Sequence, residues 1–201
     1  MNLTQNSKIY TSNAFLVLGE WNALDDVNTL IDVGCDKEII AQIESINTGL
    51  GKRKIDQVIL THSHSDHTAL LPKIIEMYNP HVYAFNKHIQ GVQKQLTDGE
   101  TIKIGEKHFE IFHITAHSYD SICLYCEEDS VLFSGDTTFP IEFDNTELEE
   151  ANDQILKRLC SKKVNKLYPG HGNMIDFKTK KFQIKKKNTF QIHECNNNDD
   201  F

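Results

Sequence analysis

The sequence contains no uninterrupted apolar run long enough to cross a bilayer, and that absence argues against a membrane-spanning helix. Its first residues, MNLTQNSKIY, have neither the basic stretch nor the apolar core of a secretory leader. Cysteine is sparse: five residues at positions 35, 123, 126, 160 and 195. An odd, scattered set is no disulfide framework, so a reducing, cytoplasmic setting is expected. Positive charge is also in short supply. The formal net charge of −8 disfavours a general binder of nucleic acid or of an anionic membrane. That count includes no bound cation, and two divalent ions would bring it towards neutrality. No internal repeat at a fixed period and no linker divides the body. The expectation is therefore one domain over residues 1–178. A polar tail, 179–201, is Lys-rich and then Asn/Asp-rich, and its end, NNNDDF, has too little apolar content to order itself.

The pattern that is present reads as short strands first, then strand and helix mixed. Ala14–Leu18 and Thr29–Val33 are strand-like, and each closes on a glycine, Gly19 and Gly34. Lys37–Ile46 reads as a helix, with Ile39, Ile40 and Ile43 on one face. Gln57–Leu60 reads as a strand. Ala69–Tyr78 has helical spacing, with Pro72 tolerated in its first turn. His81–Phe85, Thr101–Ile104, Phe109–Ile114, Ser121–Cys126, Val131–Phe133 and Lys166–Tyr168 read as strands, and residues 86–100 as a polar connection. Thr146–Leu159 reads as a helix opened by the capping box Thr146-x-x-Glu149.

One stretch is unusual. Residues 61–68, THSHSDHT, crowd three histidines and an aspartate just after the apolar strand Gln57–Leu60. On an extended segment His62 and His64 face the same way, so both imidazoles can reach one ion. Asp66 and His67 fall where the chain turns into a helix and can point at a second ion. Two ions need further ligands, and strand ends are the natural source. His117 in TAHSYDS, Asp136 in FSGDTTF and His171 in YPGHG each come after a strand, beside small residues that permit close approach. His81, His88, His108 and His193 read as solvated surface residues. Cys123 and Cys126 span a strand and cannot face together, so both read as core residues. The lysines at 178–187 read as a solvated surface.

With these residues in view, the chain resembles a metallo-β-lactamase-fold hydrolase. The set His-x-His-x-Asp-His, then His, Asp and His, is complete, and FSGDTTF and YPGHG are most similar to the glyoxalase II-type branch. The resemblance implies a four-layer αββα sandwich, an α/β fold, with a dinuclear site along one edge. It implies one divalent ion on His62, His64 and His117, a second on Asp66, His67 and His171, and Asp136 bridging the two. Zinc is the expected metal, and the N/O donor set also suits iron and manganese. Asp66 would also be catalytic, orienting a metal-bridging hydroxide that attacks a small acyl ester or thioester. No protein nucleophile with a base partner sits in these loops. Asp32 would hydrogen-bond the ligand loop from behind, as metal-bound imidazoles usually require. His113 and Tyr119 are two further residues placed to act beside the site.

The chain also departs from the glyoxalase II pattern. That branch carries a Lys and a Tyr after the bridging aspartate and a Tyr after the last histidine; here those stretches read IEFDNTELEE and HGNM. A counterpart of its glutathione-gripping C-terminal helical region is not expected in the stretch after His171, which is mostly polar. Ala116 stands for the usual Gly, and Tyr119-Asp120 for the usual Pro-Gly. The expected partner is thus a small-molecule substrate, with the glutathione thioester not implied. Two alternatives share the fold: an iron-dependent sulfur dioxygenase-like oxidoreductase, and a phosphodiesterase or nuclease, which the net charge disfavours. Flavodiiron proteins place a carboxylate where His64 stands.

The polar composition of the tail has a measurable consequence. Deleting Asn188–Phe201 is expected to lower the melting temperature by less than about 8 °C, which at this chain length corresponds to about 2–3 kcal/mol. A larger drop in a calorimetric scan would show that the tail is docked on the domain.

Overall fold

Alternation along short apolar strands dictates two buried faces rather than one. The computed structural model describes residues 1–20, 25–49, 51–139, 141 and 146–177, with the backbone of 183–185 and 192–194. Strands β1 (Phe15–Val17), β2 (Thr29–Ile31) and β3 (Gln57–Leu60) belong to a first sheet, completed by β4 (His81–Ala84) and the short β5 (Lys94–Gln95). Helix α1 (Glu38–Ser45), the single turn α2 (Ser65–Thr68) and α3 (Leu71–Tyr78) are interleaved with these strands. The second sheet holds β6 (Thr101–Ile104), β7 (Lys107–His113), β8 (Ile122–Cys126), β9 (Val131–Gly135), β10 (Lys166–Pro169) and β11 (Ile175–Asp176). Helix α4 (Thr146–Cys160) connects β9 to β10. In the segment read as a tail, β12 (Gln183–Lys185) and β13 (Ile192–Glu194) form an antiparallel pair, with β12 beside α4. The side chains of 179–201 lie outside the described residues, as do Cys195, His193 and the lysines at 178–187.

Three apolar clusters correspond to the three spaces between four layers. Leu16, Leu30, Val58, Leu60, Val82 and Ala84 turn one way and pack with Ile39, Ile43, Leu71 and Ile74 of the helices. The alternate residues Phe15, Ile31 and Ile59 turn the other way and meet Phe109, Ile111, Ile122, Leu124 and Phe133 of the second sheet. The far face of that sheet sends Phe112, Cys123, Tyr125, Leu132 and Leu167 against Leu156 and Leu159 of α4. The architecture is an αββα sandwich in a single domain, as the period-two pattern of each strand requires. Cys123 and Cys126 sit in different clusters, on opposite faces of β8, and Cys35, Cys123 and Cys126 are free thiols.

Strand direction then places the site. β2, β3, β4 and β5 run parallel, so β2 and β3 end at one edge. β7 and β9 are both antiparallel to β8, and β10 is parallel to β9, so β7, β9 and β10 also end together. At that edge Ile122 N–H donates to Thr61 C=O (2.9 Å), pinning the second sheet to the first.

Several boundaries differ from the sequence expectation, each for a local reason. The strand expected over Thr29–Val33 stops at Ile31 because Asp32 takes a left-handed φ of 54°. The helix expected over Ala69–Tyr78 begins instead at Leu71, and a separate turn, Ser65–Thr68, carries Asp66 and His67. Polar β5 and the two-residue β11 lie within or beyond stretches whose composition signals no strand. Helix α4 begins at Thr146, placing that residue inside the helix, and 142–145 lie outside the described residues. Among the described residues no helix is long and apolar enough to cross a membrane.

The space between the sheets sets the stability of this arrangement. Ile59→Ala removes buried methyl groups between two sheets and is expected to cost ~2–5 kcal/mol, lowering the melting temperature by on the order of 10 °C. Met77→Ala, on the exposed side of α3, is expected to change it by little. Thermal scans of the two variants against the parent chain check the contrast.

Candidate metal centre

The four ligand-bearing loops meet where the strands end. His62 Nε2, His64 Nδ1, His117 Nε2 and an Asp136 oxygen form one group, and Asp66, His67 and His171 form a second, with the donor atoms of each group all within 4.8 Å of one another. His64 Nδ1 lies 3.0 Å from both His62 Nε2 and His117 Nε2. Asp66 Oδ2 lies 3.0 Å from His171 Nε2. Asp136 stands between the groups. Its Oδ1 is 3.2 Å from His67 Nε2, and its Oδ2 is 3.5 Å from His171 Nε2 and 3.6 Å from His117 Nε2. All seven residues singled out from the sequence are thus brought together, with Asp136 facing both groups.

Behind the site, Asp32 organises two imidazoles at once. It is 2% exposed, and its Oδ1 accepts from Thr61 N–H (2.8 Å). Its Oδ2 accepts from His67 Nδ1 (2.8 Å) and from Thr61 Oγ1 (2.8 Å). With its own proton given to Asp32, Thr61 Oγ1 serves as acceptor for His62 Nδ1, 3.1 Å away. Both His62 and His67 therefore donate through Nδ1 and turn Nε2 towards the cluster. Asp32 reaches this position through its left-handed backbone, a conformation costing an L-residue about 1–2 kcal/mol but tolerated best by Asp and Asn among side-chain-bearing residues.

Two glycines leave the room this requires. A methyl group at Gly135 would meet Thr61 Oγ1 at 2.7 Å, and one at Gly170 would meet Asp136 Oδ1 at 2.1 Å. Asn13 secures the His171 loop: its Nδ2 donates to Pro169 C=O (2.8 Å) and Gly172 C=O (2.9 Å), and its N–H donates to Gly170 C=O (2.6 Å). The ring of Tyr10, 78% exposed, stacks on His171 at 5.1 Å. On the other side, His113 stacks on Phe85 at 3.5 Å, and its Nε2 donates to Tyr119 C=O (2.7 Å), propping the loop that carries His117. The Tyr119 hydroxyl accepts from Asn86 Nδ2. His81, His88 and His108 are exposed, as expected of surface histidines.

The electrostatics call for positive charge at the centre. His67 Nε2 and Asp136 Oδ1 are buried without a hydrogen-bond partner, although they face each other. Burial works against a charge on His67, yet the Asp32 and Asp136 carboxylates prevail and hold its pKa up at about 10. Burial pushes Asp136 up, and His67 above all, then His171 and His62, more than offset it, bringing it to about 2. His62 is pressed down to about 4 by burial and then by the charge on His67. His117 is lowered, chiefly by burial. A cation between Asp136 and the imidazoles, whether a proton or a metal ion, answers these demands together. Three imidazole nitrogens with a carboxylate, and two imidazoles with a carboxylate beside a shared one, are donor sets that fit divalent metals. The residues present therefore fit a two-ion site.

Thr61, Asn13 and Tyr10 were not singled out by sequence reasoning. Thr61 had a signal, a hydroxyl at the strand end immediately before the first histidine. Asn13 and Tyr10 act on a loop far along the chain, and local sequence carries no trace of that.

Two apposed sheets with His and Asp donors gathered at one edge define a protein of the metallo-β-lactamase fold. The sequence pattern of the Metallo-beta-lactamase superfamily matches residues 9–171, and the chain belongs to that superfamily. It is similar to the atrochrysone carboxyl ACP thioesterase of Aspergillus fumigatus, 28% identical over 177 residues, covering 83% of this chain and 42% of that protein. It is likewise similar to the hydroxyacylglutathione hydrolase of Francisella tularensis, 28% identical over 127 residues, covering 60% of this chain and 50% of that protein. The chain thus spans about half the length, or less, of these curated relatives. A solved mutant of the flavo di-iron protein from Thermotoga maritima shares the fold with a TM-score of 0.58 at 24% identity, over 81% of this chain and 49% of that one.

The shared dependence of two imidazoles on Asp32 is testable. Asp32→Ala is expected to weaken metal affinity by about 10–100-fold, measured by competition with a chromophoric chelator. Unchanged affinity would mean that Asp32 supports the fold alone.

Proposed function

We propose that the protein is a dinuclear metal-dependent hydrolase of small acyl esters or thioesters. The observation that carries this reading is the pairing of two donor groups through Asp136, with its oxygens 3.2–3.6 Å from His67, His117 and His171. The names of two relatives, a carrier-protein thioesterase and a hydroxyacylglutathione hydrolase, support thioester chemistry. When bound, two divalent ions supply a water acidified to a pKa near ~7 and an electrophilic field for a carbonyl oxygen.

The chain's own residues do the rest. His62, His64 and His117 would hold one ion, and Asp66, His67 and His171 the other, with Asp136 fixing their spacing. Asp32 and Thr61 keep His62 and His67 in the tautomer that presents Nε2. Asp66 orients the attacking water by accepting its hydrogen bond. Water adds to the acyl carbon, the C–S or C–O bond breaks, and the thiolate or alkoxide takes the proton that the water gives up. Zinc is the favoured metal, and an all-N/O donor set keeps iron and manganese as alternatives. For that reason an iron-dependent oxidation of persulfides stands as the second reading, and a phosphodiesterase as the third.

A panel of thioesters, lactones, phosphodiesters and glutathione persulfide, each assayed with Zn, Mn and Fe loading, separates these readings. Hydrolysis of thioesters or lactones is expected. Asp66→Asn is expected to reduce kcat by at least ~10², and Asp136→Ala to abolish turnover even where some metal is retained. Persulfide turnover alone, with oxygen consumed, would replace the hydrolase reading by the oxidative one. Reaction of phosphodiesters alone would leave the metal chemistry and overturn the substrate class.

A further inference from the structure

The large apolar side chains that the described residues expose are not spread evenly. All but Met1 and Met77 lie in three segments that carry or touch a ligand of the centre. Ile9 and Tyr10 form the first, and the Tyr10 ring stacks on His171. Tyr119, 67% exposed, is two positions beyond His117. Met174 and Ile175 come shortly after His171. Of these, Ile175 lines a cavity beside the centre, and Met174 lines a separate cleft at Phe15 and Tyr168.

A cavity of about 470 Å³ opens directly from the centre, with His117, Asp136 and His171 in its wall. Its remaining wall is mostly apolar or weakly polar: Thr137, Phe139, Leu167, Pro169 and Ile175. No lysine or arginine is among the described residues that line it. A larger cleft of about 600 Å³ lies between the sheets at Phe15 and Tyr168, but it contains none of the seven clustered residues. Size alone therefore does not select the substrate site; proximity to the donors does. The cavity falls in the range of small-molecule sites, whose apolar walls bind and whose few polar groups orient. A peptide-like thiol arm with several charges would find no side-chain cation among the described lining residues, whereas a hydrocarbon chain would bury surface against Phe139, Leu167 and Ile175.

We infer that this cavity takes the acyl group of the substrate and that the group is an aliphatic chain of medium length, with Ile175 and Phe139 as specificity-determining residues. The inference rests on the hydrolase reading for its chemistry, but the cavity can be observed without turnover.

Neutral, non-hydrolysable thioethers serve as probes. Calorimetric titration of the metal-loaded full chain is expected to show S-decyl-N-acetylcysteamine binding at least ~10-fold tighter than the S-ethyl compound, because each methylene buried adds to affinity. The two probes share the same sulfur and amide, so their difference reports the chain alone. Ile175→Gln, at an exposed position on a two-residue edge strand, is expected to remove most of that difference while the melting temperature stays close to the parent's. Met77→Gln on α3 is expected to keep the difference. In parallel, kcat/KM is expected to rise from acetyl through decanoyl thioesters. Equal affinity for the two thioethers, or equal losses in both variants, would overturn the cavity assignment even if thioesters are hydrolysed. Decyl-selective binding with no thioester hydrolysed would retain the cavity and remove the hydrolase reading instead.

Discussion

Everything at the centre depends on one carboxylate that does not enter it. Asp32 accepts three hydrogen bonds, from Thr61 N–H, Thr61 Oγ1 and His67 Nδ1. Through Thr61 it also settles the orientation of His62. A buried carboxylate with this many partners is held firmly in one position. Its position explains the unusual backbone at the end of β2, the glycine at 135 and the hydroxyl before the first histidine. Each is a local concession, and together they present two imidazole Nε2 atoms on one side of a wall. The negative charge behind the wall then makes the space in front attractive to a cation.

Much of this was legible in the sequence, because its period and its chemistry point the same way. Strands of alternating apolar residues with both faces buried imply layers, and the three apolar clusters are those layers seen from inside. The clustering of the seven residues was legible because each sits just past an apolar strand, a position that parallel strands repeat at one edge. Less visible were the features that depend on pairing rather than composition. β5 is Lys-Gln, exposed, and is a strand only because Tyr83 and Ala84 lie beside it. The turn Ser65–Thr68 forms because Val33 and Gly34 donate to His67 C=O from another segment. Asn13 and Tyr10 touch the His171 loop from the other end of the chain, and only the folded structure reports that contact.

The substrate side of the site obeys a different logic from the donor side. The donors are fixed by hydrogen bonds and burial and leave little freedom. The cavity beside them is lined mostly by apolar or weakly polar residues, with the exposed Ile175 in its wall. Where the glyoxalase II-type branch has a Tyr after the last histidine, this sequence reads HGNM, and Ile175 just beyond it adds an apolar side chain to the cavity wall. A superfamily that keeps its donor set and varies its rim can change substrate without rebuilding its centre.

The seven clustered residues divide between the two sheets. His62, His64, Asp66 and His67 come from the end of the first, and His117, Asp136 and His171 from loops of the second. Apart from packing, the hydrogen bond from Ile122 to Thr61 is a direct tie between the sheets at this edge. An ion gripped from both sides would act as a clasp, closing chain loops of up to about a hundred residues as a disulfide does elsewhere. Folding and metal uptake would then be one linked equilibrium, with stability growing as the logarithm of free ion concentration. The melting temperature of such a protein reports the metal supply of its surroundings as much as the quality of its core.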